Sequence, residues 1–186
     1  MATERDNLLG KTAPGKTAII AVTRNGASMA RRLAGALDHG STLFIDRRFR
    51  EDPDSGEIFD LPLRPVVERA FAEYSSLVLF LSAGATIRLL APLLEGKQVD
   101  PAVVCVDDAG SFCVSLISGH VGGADRLAQE VAQHLGASAV ITSASHASGT
   151  LAVDLLGREF DWRLVAHSNA VTRASSAVIN GQPIGI

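Results

Sequence analysis

The segment Ser118-Gly119-His120-Val121-Gly122-Gly123 holds the residue types that proton transfer near neutral pH requires. An imidazole with an ordinary pKa of ~6.5 both accepts and releases protons there. The amides of Gly122 and Gly123, with no side chain in the way, could stabilise an oxyanion beside His120. A strand-end histidine that only bonds a backbone carbonyl is the plainer alternative. His146 follows the next apolar run and could share the pocket. His39, His134 and His167 fall at helix ends or in loops, where solvated or capping roles are expected. Asp125, in the first turn of the following helix, reads as a complement to the helix dipole. Ser118 lacks a GxSxG setting, so covalent serine catalysis is not expected.

Anion chemistry has its own candidates. Arg24 and Asn25 stand in the turn Thr23-Arg24-Asn25-Gly26, and Ser82 and Gly84 in Ser82-Ala83-Gly84-Ala85-Thr86, with Arg88 one turn on and Arg47 and Arg48 after the second strand. Glycine lets a ligand approach the backbone, helix N-termini favour anions, and guanidinium groups suit carboxylates. Tight turns also need small residues, and surface arginines are common, so each loop has a purely structural reading too. The turn after the first strand lacks GxGxxG and no GxxxxGK[ST] occurs, which argues against NAD or ATP held by those motifs. Cys105 and Cys113 sit in apolar runs without CxxC spacing and read as small buried hydrophobes; no metal site is expected.

The elements that must position these residues follow a strand–helix rhythm. Apolar runs at 17–23, 41–46, 77–83, 102–108, 112–118 and 139–145 read as strands, the fourth and fifth joined as a hairpin by Ala109-Gly110-Ser111. Amphipathic stretches between them read as helices, and the charged stretch RRFREDPDSGEIFDLP as a surface loop. Both LAVDLLGREF and NAVTRASSAVINGQ turn helical. The expected fold is α/β, a three-layer Rossmann-like mostly parallel sheet with a C-terminal helical appendage. Expected divisions are a flexible tail over 1–16, an α/β domain over 17–146 and the appendage over 147–186. Ligands in such sheets bind at the carboxyl ends of the strands, so the four small polar loops are expected along one edge.

Composition narrows the classes. With 186 residues and 47% hydrophobic content the chain can bury a core unaided, and two cysteines exclude a disulfide scaffold. A formal net charge of −3 disfavours non-specific nucleic-acid binding. Residues 1–93 carry 12 Lys/Arg, against 5 in 94–186, so cationic groups are concentrated in the first half. No apolar run approaches the ~18 residues of a membrane span, and the N-terminus has no signal-peptide centre; a cytoplasmic protein is expected.

From Ser82 to Ser145 the sequence resembles the CbiG family, the cobalt-precorrin-5A hydrolases of anaerobic cobalamin synthesis. The matching marks are Ile87-Arg88, Ala91-Pro92, Lys97, Asp100-Pro101-Ala102-Val103-Val104 and above all Ser118-Gly119-His120-Val121-Gly122-Gly123-Ala124. The likeness extends to AVTRNG and forward to INGQPIG. The family usually has Asn where this chain has Asp125, and a TATD-like end where it reads Ser143-Ala144-Ser145-His146. The resemblance implies a ring-contracted cobalt tetrapyrrole substrate whose ring-A δ-lactone is opened by water, with loss of acetaldehyde to give cobalt-precorrin-5B. It implies no cofactor of the protein's own, since the substrate carries the cobalt and serves as electron sink. Arg24, Arg47 and Arg88 would take peripheral carboxylates, Asn25, Ser82, Gly84, Ser118, Gly119 and His146 would line the site, His120 would move the proton, and Gly122 and Gly123 would face the oxyanion. The family has a longer middle region and a further C-terminal domain, so the chain is expected to be truncated. The alternative is a corrinoid-binding module that needs that domain for catalysis. No membrane or nucleic-acid partner is implied, and a homodimer is not distinguished from a monomer.

Overall fold

The computed structural model describes residues 16–184 except 38–39, 53–55, 97–98, 151, 158–159, 161, 163–164 and 167. Residues 1–15 of the expected tail, His39, Lys97 and His167 lie outside the described residues. The chain divides into two compact units, Met1–Val140 and Ile141–Ile186.

The first unit is built on one sheet of seven strands in the order β3-β2-β1-β4-β5-β6-β7. The strands are β1 (Thr17–Ala21), β2 (Ser41–Asp46), β3 (Glu57–Phe59), β4 (Ser76–Phe80), β5 (Ala102–Val106), β6 (Phe112–Ile117) and β7 (Ser138–Val140). The helices are α1 (Arg24–Ala34), α2 (Arg64–Glu73), α3 (Ala83–Leu90) and α4 (Ala124–Leu135). β1 to β5 pair in parallel. β6 runs antiparallel to β5, and β7 runs parallel to β6. The last two strands therefore point opposite to the other five.

Burial explains the runs. Every residue of β1 and β5 is buried, which is why TAIIA and AVVCV read as unbroken apolar stretches rather than alternations. Ile19, Ala21, Val78 and Phe80 face one layer with Ala27, Ala30 and Leu33 of α1 and Leu127 and Val131 of α4. Ala18, Ile20, Leu77 and Leu79 face the other with Val67, Ala70 and Leu90. Gly26 is required where α1 crosses the sheet, since a Cβ there would sit 2.9 Å from Phe80 Cβ. Burial pushes the Cys105 thiol up to about 11 and the Cys113 thiol up to about 12, so both remain protonated core groups.

Three expectations change. The stretch 47–60 holds a short 3₁₀ turn (Arg47–Phe49) and the edge strand β3, too brief for a period to show. The expected buried strand over 139–145 is only β7, with Ser138 and Ala139 exposed, because it pairs on one side only and closes the sheet edge. In the second unit the expected helix across LAVDLLGREF is, among the described residues, a 3₁₀ turn at Val153–Leu155 that meets Gly157 at φ +75°. That unit otherwise carries α5 (Ala144–Ser148) and α6 (Ser168–Ile179). No helix among the described residues is long and apolar enough to cross a membrane.

Asp46 ends β2 with its side chain only 2% exposed. It accepts from Arg48 Nε and from the Arg48 amide, each at 3.0 Å, and from Nη2 at 2.6 Å. The hydrogen-bonded Arg48 side chain outweighs burial and holds the Asp46 carboxyl below its ordinary value. The ionised carboxylate thus favours the fold at any pH above ~3.9, and that gain is lost as pH falls through the native value. Asp46→Asn should lower the urea midpoint at neutral pH and show a flatter acid dependence below about pH 4 than the wild type. Parallel acid profiles for the two proteins, measured by urea titration at a series of pH values, would contradict this.

Candidate active site

The reversal of β6 splits the predicted site. Strand order switches between β1 and β4, whose carboxyl ends start α1 and α3. Such a switch point is where open α/β sheets bind ligands. Thr23 caps α1 by accepting from Gly26 N at 3.0 Å, and Ser82 caps α3 by accepting from Ala85 N at 3.3 Å. Arg24 and Asn25 therefore belong to the first turn of α1, and Gly84 to that of α3, rather than to free loops. Neither first turn holds an acidic residue of its own, which favours an anion at the α3 end, while at the α1 end the Asp108 carboxylate already takes that place. Arg88 is exposed and folds back to donate to Gly84 O at 3.3 Å, so its guanidinium lies over the same helix end. Asn25 Nδ2 donates to Asp108 Oδ2 at 3.2 Å, and Thr23 Oγ1 donates to Asp108 Oδ1.

Two arginines are committed elsewhere. Arg47 makes a two-pronged pair with Asp60 at 2.9 and 3.1 Å, and Arg48 holds Asp46. Arg24 lies over the Phe49 ring at 5.9 Å. The cationic rim at this edge thus reduces to Arg24 and Arg88.

Ser118, Gly119, His120, Gly122 and Gly123 follow β6 and so lie at the opposite edge, beside the start of β5. Ser118 Oγ donates to the Asp100 carbonyl at 2.9 Å, just before β5 begins. With five residues in β5 at ~3.3 Å each, the two edges stand about 15 Å apart before the loops are added. One pocket holding His120 together with Arg24 and Arg88, as the sequence suggested, is therefore not formed. The physical reason is the hairpin between β5 and β6, which inverts the β6-α4-β7 unit and carries its carboxyl ends to the other side.

The inverted edge is tightly built. Ser118 takes a left-handed φ of +57°, a conformation that costs a non-glycine residue roughly 1–3 kcal/mol unless its surroundings impose it. They do: Ser118 O accepts from Ala124 N at 3.1 Å, Gly119 O from Asp125 N at 3.1 Å, and His120 O from Gly123 N at 3.2 Å. The Gly123 amide, expected to face an oxyanion, is thus turned to the His120 carbonyl. Asp125 is the residue that sequence reasoning underrated. Its Oδ1 accepts from Ser115 Oγ at 2.7 Å, and its Oδ2 lies 3.6 Å from His120 Nε2. The signal was the five-residue spacing from His120 across two glycines, which brings the first turn of α4 back to the imidazole. A Cβ on Gly119 would stand 2.7 Å from Asp125 Oδ1, and one on Gly122 would run into Ser118. His146 lies exposed on α5 of the second unit. Among the described residues, no three His, Cys, Asp or Glu side chains gather as a metal site.

Residues 65–146 match the model for the cobalamin synthesis G N-terminal region, and 151–186 that for the cobalamin biosynthesis central region. A protein of Priestia megaterium named cobalt-precorrin-5A hydrolase is 37% identical over 183 residues, covering 95% of this chain and 49% of its own. One of the same name from Salmonella typhimurium strain LT2 is 34% identical over 174 residues, covering 93% and 48%. The chain thus spans about half the length of these relatives. A crystal structure of a cobalamin biosynthesis protein G homolog from Sulfolobus solfataricus shares the fold, with a TM-score of 0.50 at 17% identity over 93% of this chain and 49% of that one.

The two edges differ in how they tolerate a methyl group. Gly122→Ala should destabilise the protein by about 1–3 kcal/mol through overpacking against Ser118. Gly84→Ala, whose new Cβ meets only the Arg88 Nη1 at 3.4 Å, should be neutral or slightly stabilising. Urea unfolding midpoints check both, and equal effects would refute the described loop.

Proposed function

The chain belongs to the CbiG family of cobalamin biosynthesis, and we propose that it acts as a cobalt-precorrin-5A hydrolase, opening the ring-A δ-lactone and releasing acetaldehyde to give cobalt-precorrin-5B. What carries this reading is the alignment of 183 residues, at 37% identity, with a relative of that name. Water adds to the lactone carbonyl, freeing a carboxylate and a hydroxyl on the extruded carbon. As that hydroxyl loses its proton, the carbon–carbon bond to the macrocycle breaks, the two-carbon unit leaves as acetaldehyde, and the electron pair enters the ring. The ring and its cobalt arrive with the substrate.

This chemistry asks the protein for proton transfer at the lactone and for a surface that seats a flat, largely apolar ring. The His120 edge suits both. His120 takes the proton of water, returns it to the lactone oxygen as the ring opens and the hydroxyl forms, and then takes the proton of that hydroxyl, acting in turn as general base, acid and base. Val121 beside it and Val99 beside Asp100 are exposed apolar groups, 40% and 53% accessible, at the same edge. Ser118, Gly119 and Gly122 are the groups nearest the imidazole along the chain that could take the lactone oxygens. Arg24, Asn25, Ser82, Gly84 and Arg88 stand about a strand length away, so their part is to hold an anion away from the reacting bond. A second reading, in which this portion binds the corrinoid while the catalytic groups lie in the other half of the longer relatives, is favoured by its covering only 49% of the Priestia protein.

Incubating the purified chain with cobalt-precorrin-5A and trapping aldehyde separates the two readings. Acetaldehyde release is expected, with His120→Ala lowering turnover by about a hundredfold or more while spectral titration still shows binding. Binding without acetaldehyde would favour the binding-module reading. Unchanged turnover in His120→Ala would remove its proton role.

A further inference from the structure

We propose that Ser118 is a positioning residue, whose hydroxyl bolts the 118–123 loop to the Asp100 segment so that both stand ready before the tetrapyrrole arrives. This rests on the reading of the His120 edge as the place where substrate binds. Each segment is closed on itself. In the loop, Ser118 O and Gly119 O accept from Ala124 N and Asp125 N, both at 3.1 Å, and His120 O accepts from Gly123 N at 3.2 Å. In the other segment, the Asp100 carboxylate accepts from Glu95 N at 3.0 Å and from Gly96 N at 3.1 Å. Asp100 N also donates to Gly96 O at 2.9 Å. Ser118 Oγ links the two, donating to the Asp100 carbonyl at 2.9 Å.

Both ends of the link are fixed. Two residues after Asp100, Ala102 N donates to Ser75 O at 3.0 Å, so the accepting carbonyl stands where β5 joins the sheet. On the donor side, β6 carries one extra residue, Leu116, between the pairs Val104↔Ser115 and Val103↔Ile117. A bulge of this kind turns the end of a strand, and bulges are over-represented beside active sites. Ser118 follows with its φ of +57°, the one positive φ outside glycine among the described residues. Glycine adopts that conformation freely, whereas serine is strained in it. For backbone shape alone glycine would serve better; what serine adds is the hydroxyl. With its proton committed to Asp100, the Ser118 side chain acts through the loop that carries His120.

Substitutions at Ser118 and Asp100 test the link, read by ¹H–¹⁵N heteronuclear NOE values of amides 119–122 and by urea unfolding. Ser118→Gly drops the hydroxyl but relieves the strained φ, so the urea midpoint should stay near wild type while those NOE values fall. Ser118→Ala lacks glycine's freedom, and should loosen the loop as well while lowering the midpoint. Asp100→Ala releases Glu95 and Gly96 directly, and through Ser118 should loosen 119–122 too. In the Ser118→Gly background it should add nothing there. Wild-type loop order in Ser118→Ala would overturn the proposal, and so would additive effects of the Ser118 and Asp100 substitutions on 119–122. With cobalt-precorrin-5A, Ser118→Gly should lower kcat about tenfold or more and change KM less than about threefold; an unchanged kcat would reduce the hydroxyl to a structural bond and refute the positioning role. If the wild type releases no acetaldehyde while the loop loosens as described, the hydrolase reading fails and the link from Ser118 to Asp100 stands.

Discussion

The turn that joins β5 to β6 governs what this protein can do at either end of its sheet. Asp107 Oδ1 accepts from Phe112 N at 2.6 Å, Asp107 O accepts from Gly110 N at 2.9 Å, and Gly110 supplies the φ of +67° that the reversal needs. A helical crossover at this point would have continued the parallel order and placed the Ser118 loop beside Arg24 and Ser82. A hairpin instead sends β6 back the way β5 came. Every later element of the first unit inherits that inversion, including the helix that carries Asp125.

The inversion gives the two edges different physics. At the switch point, α1 and α3 start with capped first turns that hold no acid of their own; Arg88 folds back over the α3 end, while the Asp108 carboxylate sits on Thr23 and Asn25 at the α1 end. The carboxylates described at that edge are engaged: Asp108 by Thr23 and Asn25, Asp107 by the Phe112 amide, Asp46 by Arg48 and Asp60 by Arg47. At the other edge a left-handed Ser118, two glycines that admit no Cβ, and the contacts of Asp125 with Ser115 and His120 make a closely packed polar centre, with Val121 exposed next to His120 in the chain.

Much of this was legible in the residues. The apolar runs of β1, β4 and β5 announce strands buried on both faces, and the hairpin itself was readable from Ala109-Gly110-Ser111. The consequence of that hairpin was not. Local pattern reports an element and its partner turn, but the direction in which a strand crosses the sheet emerges only when all pairings are combined, so His120 and Arg88 looked like neighbours. Asp125 was misjudged for a related reason. As a first-turn acid it satisfied a local rule, whereas its side-chain partners come from β6 and the intervening loop. The short edge strand β3 escaped because three residues carry no period, and β7 was expected but read as longer and more buried than it is.

Whether a tetrapyrrole binds, and at which edge, is the point on which the proposed function turns. Amide chemical-shift mapping with a cobalt corrinoid bearing free acetate and propionate arms addresses it directly. Perturbations should gather on the segments around Asp100 and from Ser115 to Asp125. Perturbations confined to 23–26 and 82–88, with the His120 loop unmoved, would contradict the assignment.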